Sequence, residues 1–426
     1  MAKNAKKLLL VSYYWFPDGG TGMYRISKFA KYLKRLGWEI TVLTASQGEH
    51  VTDDDFNVVR VKGFKLSALW GSRKSVVKKE AGFNPSVFYQ KNPSLKDRLL
   101  IWARLNLLVP DAKIGWLKSA AKKGISLHAE HAFDALLSTS PPPTTNLVAQ
   151  RIAQKTQLPW VADFRDPWTQ IYYYEAFPQG RIAARLNRNL ERKVVQDCDR
   201  LICVNDDFFD FPFPATKYQQ ITNGFDPEDF KLKVTERDEA ESKFTIRYLG
   251  TLKLNQFSSG LLEALQKLGA KYPGQIQIDF VGNIDPQYQQ KIQDSTSDIS
   301  FNFPGLLPHQ KAMELCQNAD LLLLIIGSGA SSKMVFSTKL FEYIYAQKPV
   351  LAIAHPEGAA ASIIRETEAG ETFEHGNGTE IFNFLEMHYA AYQRGEKPKA
   401  GKQQVLQKYS FEALTLQLHR ILDEIS

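Results

Sequence analysis

Short apolar runs alternate with amphipathic stretches along the first half of the chain. Residues 8–13 are almost continuously apolar, the pattern of a strand buried on both faces of a parallel sheet. The next stretch predicts a helix with apolar residues at spacings of three and four: Ile26, Phe29, Ala30 and Leu33. Further strands are predicted at residues 39–44, 133–137, 160–164 and 201–204. Residues 1–225 therefore predict an α/β domain.

The alternation restarts after a charged stretch that is poor in apolar residues. We interpret residues 226–243 as an interdomain linker and 244–407 as a second domain of the same class, with strands at 246–249, 276–281, 319–326 and 350–354. A last helix follows Ser410, its predicted N-cap, and has one apolar face. The expected fold is α/β with two doubly wound, Rossmann-like domains, and ligands of such domains bind beyond the carboxyl ends of the strands. The cleft between the domains is then the expected site.

Composition narrows the class of protein. The 426 residues are 44% hydrophobic and 23% charged, as in ordinary globular proteins, and no apolar run reaches the roughly 20 residues of a transmembrane helix. Three cysteines argue against a disulfide framework and favour a reducing compartment, so we expect a cytoplasmic protein. The basic, apolar start resembles a signal peptide without a cleavage site, and a buried first strand explains it better.

A glycine-rich turn follows the first predicted strand. Its glycines allow a ligand to approach the backbone next to a helix N-terminus, or they serve only the turn. The residues concerned are Gly19, Gly20 and Gly22, with Arg25 on the following helix. Arg25 stands where the dinucleotide fingerprint needs its third glycine, which argues against a nicotinamide enzyme.

Charged residues also follow the strand predicted at 160–164. Asp163, Arg165 and Asp166 lie at its carboxyl end, where functional groups are usually found, and Pro167 ends the strand geometry. We take these three as candidate catalytic residues. The alternative is a buried structural Asp–Arg pair.

In the second half, candidate residues for binding a nucleotide lie on a turn and a short helix. Lys339 and Glu342 share one helix face, suited to a diphosphate and a ribose, or they form a surface ion pair. Ser337 or Thr338 is predicted to cap that helix. A turn after the strand at 246–249 is a candidate phosphate loop or a plain turn. The candidate residues of this turn are Gly250, Thr251 and Lys253. Gly282, which follows the strand at 276–281, is a further candidate.

A metal site is not indicated. His128 and His131 have a plausible ligand spacing, but no third ligand clusters with them in the sequence.

Together these motifs resemble the glycosyltransferases of the GT-B fold, in particular the family 4 type of bacterial polysaccharide and glycolipid assembly. The resemblance covers nearly the whole chain and includes the motifs of residues 109–111, 115–116, 163–169, 223–226, 250–251, 339–343 and 348–351. It implies that the final helix, within 408–426, packs back on the first domain. It also implies transfer of a sugar from a nucleotide diphosphate sugar to an acceptor, with retention of configuration and without a metal or another cofactor.

The resemblance assigns roles to individual residues. Glu342 would bind the ribose, Lys339 and Lys253 the diphosphate, and the first domain the acceptor, a glycan or a lipid-linked sugar. Three positions depart from the family pattern. Met334 stands where the family has a first glutamate that handles the donor sugar, Thr251 and Gln256 replace an Arg and a Lys, and Arg165 replaces a common histidine. The donor sugar therefore stays open.

Two other functions are compatible with the same residues. The missing carboxylate at Met334 motivates a nucleotide-sugar-binding scaffold without transferase activity, and the two-domain plan also occurs in nucleotide-sugar epimerases.

The positive charge is concentrated in one segment. Residues 60–125 carry a net charge of +12, whereas the whole chain carries +7. Apolar side chains such as Leu99, Leu100 and Trp102 lie in the same segment, which favours an anionic membrane surface over nucleic acid as the partner. The alternative is a solvated basic face.

Overall fold

The computed structural model of the chain describes residues 5–17, 21–46, 55–64, 95–171, 174, 177–230, 243–396 and 401–426. These residues separate into two compact units, one of Met1–Thr222 with Leu414–Ser426 and one of Asn223–Ala413. Within the described ranges, no helix is long and apolar enough to cross a membrane.

The first unit is built on one parallel sheet of seven strands, in the order β3-β2-β1-β4-β5-β6-β7. The strands are β1 Lys7–Ser12, β2 Glu39–Ala45, β3 Asn57–Val61, β4 Ala135–Ser140, β5 Trp160–Phe164, β6 Arg200–Cys203 and β7 Tyr218–Gln220. The helices are α1 Thr21–Arg35, α2 Leu95–Leu107, α3 Leu117–His131, α4 Thr144–Thr156 and α5 Arg181–Asp197.

The second unit has a parallel sheet of six strands, in the order β10-β9-β8-β11-β12-β13. The strands are β8 Phe244–Leu249, β9 Ile276–Val281, β10 Ser300–Gly305, β11 Leu321–Ile325, β12 Val350–Ile353 and β13 Gly370–Phe373. The helices of this unit are α6 Ser259–Lys271, α7 Pro286–Gln293, α8 His309–Gln317, α9 Thr338–Tyr345, α10 Ala359–Thr367, α11 Gly378–Gln393 and α12 Gln403–Leu406. The last helix, α13 Phe411–Ile425, begins in the second unit and lies in the first unit from Leu414 onwards.

The central strands are mostly apolar, since both faces of each sheet are covered. Every residue of β5 and β8 is buried, and so is every residue of β11. The strand predicted at 133–137 is displaced: β4 begins at Ala135 and continues through three buried hydroxyl residues, Ser138, Thr139 and Ser140. These hydroxyls are bonded, for example Ser138 Oγ donates to Asn146 Oδ1 at 2.8 Å, which is why a polar segment can be buried.

The C-terminal helix returns to the first sheet. Ser410 is its N-cap as predicted, since its Oγ accepts from Ala413 N at 3.1 Å, and from Leu414 onwards the helix belongs to the first unit. There Trp38 Nε1 donates to His419 Nδ1 at 3.0 Å and Lys6 pairs with Asp423 at 3.0 Å. The α/β fold with two doubly wound sheets and a returning helix is thus confirmed.

Only residues 226–230 and 243 of the predicted linker lie within the described residues. Residues 227–230 form one turn of 3₁₀ helix, and Phe230 is buried in the second unit against Tyr345, ring centroids 4.7 Å apart. Residues 231–242 lie outside the described ranges.

A carboxylate buried beside the loop after β5 couples the stability of the first unit to pH. Glu191 of α5 is fully buried and accepts from Thr169 Oγ1 and, at 3.4 Å, from Thr169 N. Burial raises the pKa of Glu191 to about 7, against the lowering effect of the Thr169 bonds. Because the folded protein holds this proton more tightly than the unfolded chain, the group stabilises most at low pH and loses that contribution as pH rises through about 7.

We expect Glu191→Gln to flatten the pH dependence of stability. The wild-type free energy of unfolding should fall by up to about 3 kcal/mol more than that of the variant between pH 5 and 8. Urea denaturation at several pH values measures this difference. Glu412→Gln, a change at an exposed glutamate of α13, should leave the wild-type pH profile intact, and parallel profiles for Glu191→Gln and wild type would contradict the assignment.

Candidate functional site

Arg165 and Asp166 lie at the carboxyl end of β5 in the first unit. Arg165 N donates to Ser140 O at 3.0 Å, which joins the ends of β4 and β5. The Arg165 guanidinium donates to Gly22 O and pairs with Asp166, Nη2 to Oδ2 3.2 Å. The Asp166 side chain is 47% exposed, so an accessible carboxylate lies at the carboxyl end of β5.

Arg25 and Asp163 form a buried ion pair instead of an exposed site. Arg25 Nη2 lies 3.0 Å from Asp163 Oδ1, and the two side chains are 1% and 0% exposed. Thr139 Oγ1 also donates to Asp163 at 2.8 Å, and Arg25 donates to Ile221 O at 2.8 Å. The alternative interpretation, a buried structural Asp–Arg pair, therefore describes Asp163, and its partner is Arg25. In this arrangement neither side chain is accessible to a ligand.

The glycine-rich turn lies only partly within the described residues. Gly19 and Gly20 are outside them. A Cβ placed on Gly22 would lie 3.5 Å from Arg165 Nη1, an ordinary contact, so the space around Gly22 does not itself require glycine.

The motif of residues 109–111 holds the start of α4. Asp111 Oδ2 accepts from Thr144 N at 2.7 Å and from Thr144 Oγ1 at 2.8 Å. Burial raises the pKa of Asp111, opposed by the bonds from Thr144 and Lys113. A protein carboxylate thus occupies this helix N-terminus, where a ligand anion could otherwise bind.

In the second unit, glycines end three neighbouring strands. Gly250, Gly282 and Gly305 follow or end β8, β9 and β10, and all have positive φ, +117°, +132° and +76°. Gly250 N donates to Val281 O at 2.7 Å and Gly282 N to Gly305 O at 2.8 Å. A Cβ on Gly282 would lie 2.2 Å from Gly250 O, so only glycine permits this approach.

Lys339 packs on the strand end at Gly250. A Cβ on Gly250 would lie 2.5 Å from Lys339 Nζ. The ammonium donates to Tyr248 Oη at 3.0 Å, and Tyr248 Oη donates in turn to Thr251 O at 2.7 Å. Burial lowers the pKa of Lys339 to about 8, and the charge of Glu342 opposes that shift. The structure thus joins Gly250, Thr251 and Lys339 through Tyr248, a residue not singled out from the sequence as a contact.

The start of α9 differs from the predicted cap. Ser337 occupies the N-cap position, but its side chain makes no hydrogen bond to the first turn, and Thr338 is the first helical residue. The prediction that the side chain of Ser337 or Thr338 caps this helix is therefore wrong. The helix is anchored from its buried side, where Tyr343 Oη accepts from Leu249 N at 2.8 Å.

Glu342 contacts a histidine that sequence reasoning missed. His309 Nε2 lies 2.8 Å from Glu342 Oε1, and the two side chains are 44% and 11% exposed. Glu342 therefore does not form the surface ion pair with Lys339 that was the alternative. A separation of 33 residues gave no local signal for the contact.

Lys253 lies on a loop fixed by Gln256. Gln256 Oε1 accepts from Lys253 N at 3.0 Å, and Gln256 Nε2 donates to Ile325 O at 2.8 Å, beside the end of β11. Burial lowers the pKa of Lys253. Thr251 is exposed.

Comparisons with known proteins agree with this architecture. Residues 19–224 match the family model of the glycosyl transferase 4-like domain. No curated protein sequence matches the chain significantly.

Solved structures match over nearly the full chain. Sucrose-phosphate synthase from Thermosynechococcus elongatus is 13% identical over 98% of both chains, with a TM-score of 0.64. Anabaena HepE, solved in complex with UDP and glucose, is 15% identical over 98% of this chain and 99% of its own, with a TM-score of 0.62. WaaG, a glycosyltransferase involved in lipopolysaccharide biosynthesis, is 16% identical over 98% and 95%, with a TM-score of 0.53.

At these identities the likeness establishes the fold. The chain has the fold of the GT-B glycosyltransferases, as the sequence motifs indicated. Its first half is similar to the glycosyl transferase 4-like domain.

Gly250→Ala should displace Lys339 and destabilise the second unit. The added Cβ would meet Lys339 Cε at 2.4 Å, and a φ of +117° is strained for alanine, so we expect a loss of about 1–3 kcal/mol. Thermal or urea unfolding measures it. Gly376→Ala, whose Cβ would meet nothing within 4 Å, is the matched control and should change stability little. Equal behaviour of the two variants would show that the contact at Gly250 is unimportant.

Proposed function

We propose that the protein transfers a sugar from a nucleotide diphosphate sugar to a glycan or lipid-linked acceptor, with retention of configuration. The observation that carries the proposal is the position of Lys339. Its ammonium lies against Gly250, the glycine that follows β8, and Lys339 precedes the carboxylate of Glu342 by one turn of the same helix. A cation beside glycine backbone suits a diphosphate, and the carboxylate of Glu342 suits the hydroxyls of a ribose.

A solved structure of the same fold supports a nucleotide sugar as the ligand. HepE, which shares the fold, was solved with UDP and glucose bound. A similar donor would place its diphosphate near Gly250, Gly282 and the first turn of α9, where Ser337 and Thr338 provide backbone donors. Lys253 and Thr251 would contact it from the loop after β8.

The chemistry needs charge stabilisation. The bond between the anomeric carbon and the diphosphate oxygen breaks, and its electron pair leaves with the diphosphate. The acceptor oxygen bonds to the same carbon, and its proton passes to the leaving oxygen or to water. The proposed mechanism uses no metal ion, so Lys339, Lys253 and the helix dipole stabilise the departing charge.

The acceptor would contact the first unit. Asp166 and Arg165 are polar side chains at the end of β5 that could contact the acceptor. The guanidinium of Arg165 donates a hydrogen bond to Gly22 O. Arg25 and Asp163 would hold α1 in place without touching the acceptor.

The proposal is tested with purified protein and a panel of UDP-, GDP- and ADP-sugars, with and without a lipid-linked sugar. Release of nucleoside diphosphate and the fate of the sugar distinguish transfer from epimerisation and from binding alone. We expect transfer, and Lys339→Met should lower kcat/KM by about 10²-fold or more. Conversion of the donor without acceptor would favour an epimerase, and binding without any turnover would favour a scaffold.

The pKa of Lys339 adds a pH test to the same experiment. Since the group carries its charge only below about pH 8, affinity for the nucleoside diphosphate should fall as pH rises through that value. Lys339→Arg should bind with less dependence on pH, because arginine stays charged. Lys333→Met, at an exposed lysine paired with Glu357, is the control and should behave as wild type.

We further propose that the basic segment docks on an anionic membrane, which would place the protein at the cytoplasmic face. Of residues 60–125, the structure describes 60–64 and 95–125. There α2 exposes Leu99, Leu100 and Trp102, at 65%, 49% and 53%, together with Arg98. Apolar and basic groups on one helix suit an interfacial position.

Leu99→Asp with Trp102→Asp should weaken flotation with vesicles containing phosphatidylglycerol, because it removes apolar contact and adds negative charge. Met387→Asp, at a methionine that is also 53% exposed but lies in the second unit, should float as wild type. Absence of flotation by the wild type at low salt would overturn the membrane proposal.

A further inference from the structure

We propose that His309 is a positioning residue that orients Glu342 for recognition of the ribose of the donor; this inference rests on the proposed function. A carboxylate oxygen only accepts hydrogen bonds, so the 2.8 Å contact assigns the proton to Nε2 of His309. The bond fixes Oε1 of Glu342, a side chain with three rotatable bonds that would otherwise sample several rotamers.

The two helices that carry this pair are held by one core. Met313 and Cys316 of α8 and Leu340 and Phe341 of α9 belong to the same cluster of buried side chains. His309 is the first residue of α8, and Glu342 lies in the middle of α9. The contact therefore joins two rigidly packed elements, which is the arrangement needed to hold a binding group in one orientation.

The exposure of the pair fits an indirect role for His309. Glu342 keeps 11% of its side chain accessible, whereas the side chain of His309, which contacts Oε1 of Glu342, is 44% exposed. Lys339 lies three residues earlier on α9. A nucleotide that reaches Lys339 with its diphosphate has its ribose within the range of Glu342, since residues three apart on a helix share a face.

Calorimetry with a nucleoside diphosphate and its 2′,3′-dideoxy analogue tests the inference. UDP, GDP and ADP are compared first, and the tightest of them is then paired with its dideoxy form. The wild type should prefer the ribonucleotide. His309→Ala should reduce that preference by roughly tenfold, the scale of coupling between hydrogen-bonded residues. His309→Gln, which can donate from a similar place, should restore most of it.

Two controls separate orientation from a general loss of structure. Lys311→Ala changes an exposed residue of the same helix, paired with Glu314, and should keep the preference. In a Glu342→Gln background, His309→Ala should have no further effect on the preference. An equal loss of affinity for both nucleotides, no loss at all, or an effect that persists in the Glu342→Gln background would each overturn the role of His309.

The outcome is distinguishable from failure of the proposed function. If the wild type binds no nucleoside diphosphate, the proposed function fails. If Glu342→Gln weakens both nucleotides equally, the ribose assignment fails. The imidazole contact itself is read without ligand, by ¹⁵N NMR of His309. The protonated Nε2 should be seen in the wild type and should change in Glu342→Gln, and unchanged spectra would contradict the contact.

Discussion

Burial of parallel strands on both faces is the constraint on which the rest of this structure depends. Strands such as β5 and β8 have no solvent face, so polar groups within them need internal partners, and exposed chemistry is confined to strand ends. Four of the residues proposed to bind donor and acceptor follow this rule, whereas Lys339 and Glu342 lie on helix α9. Asp166 and Arg165 come directly after β5, and Gly250 and Thr251 directly after β8.

Two buried ion pairs involve charged residues of the central strands. Arg25 and Asp163 form one such pair in the first unit, and Arg247 and Asp279 form another between β8 and β9, 2.9 Å apart. Loss of one partner of such a pair leaves an uncompensated buried charge, which costs about 3–5 kcal/mol. Charged residues near a site are therefore not all functional in the same sense: some hold the scaffold so that others can meet the ligand.

In the second unit, glycine controls where a cation can lie. The absence of a Cβ at Gly250 lets the Lys339 side chain lie against the backbone, and the absence of a Cβ at Gly282 lets that glycine approach Gly250. The same closeness removes water from the ammonium and lowers its pKa. Backbone conformation, position of the charge and its titration are thus consequences of one packing arrangement.

The sequence alone determined the alternation of strands and helices, the parallel sheets, the returning helix and the likeness to GT-B glycosyltransferases. The four strands it did not predict, β3, β7, β10 and β13, are the edge strands of the two sheets. Each is partly exposed, so it lacks the continuous apolar run that identified the others. Candidate site residues such as Asp166 and Gly250 could be recognised in the sequence because they follow a predicted strand. The side chains that contact the candidate site residues could not be recognised in this way.

Only the tertiary structure decided that Asp163 pairs with Arg25, that Tyr248 links Lys339 to Thr251, and that His309 holds Glu342. These contacts join residues 138, 91 and 33 positions apart. Local pattern reports which face of an element is buried, because burial follows the period of that element. It cannot report which polar groups meet across elements, because that depends on how the sheets and helices pack.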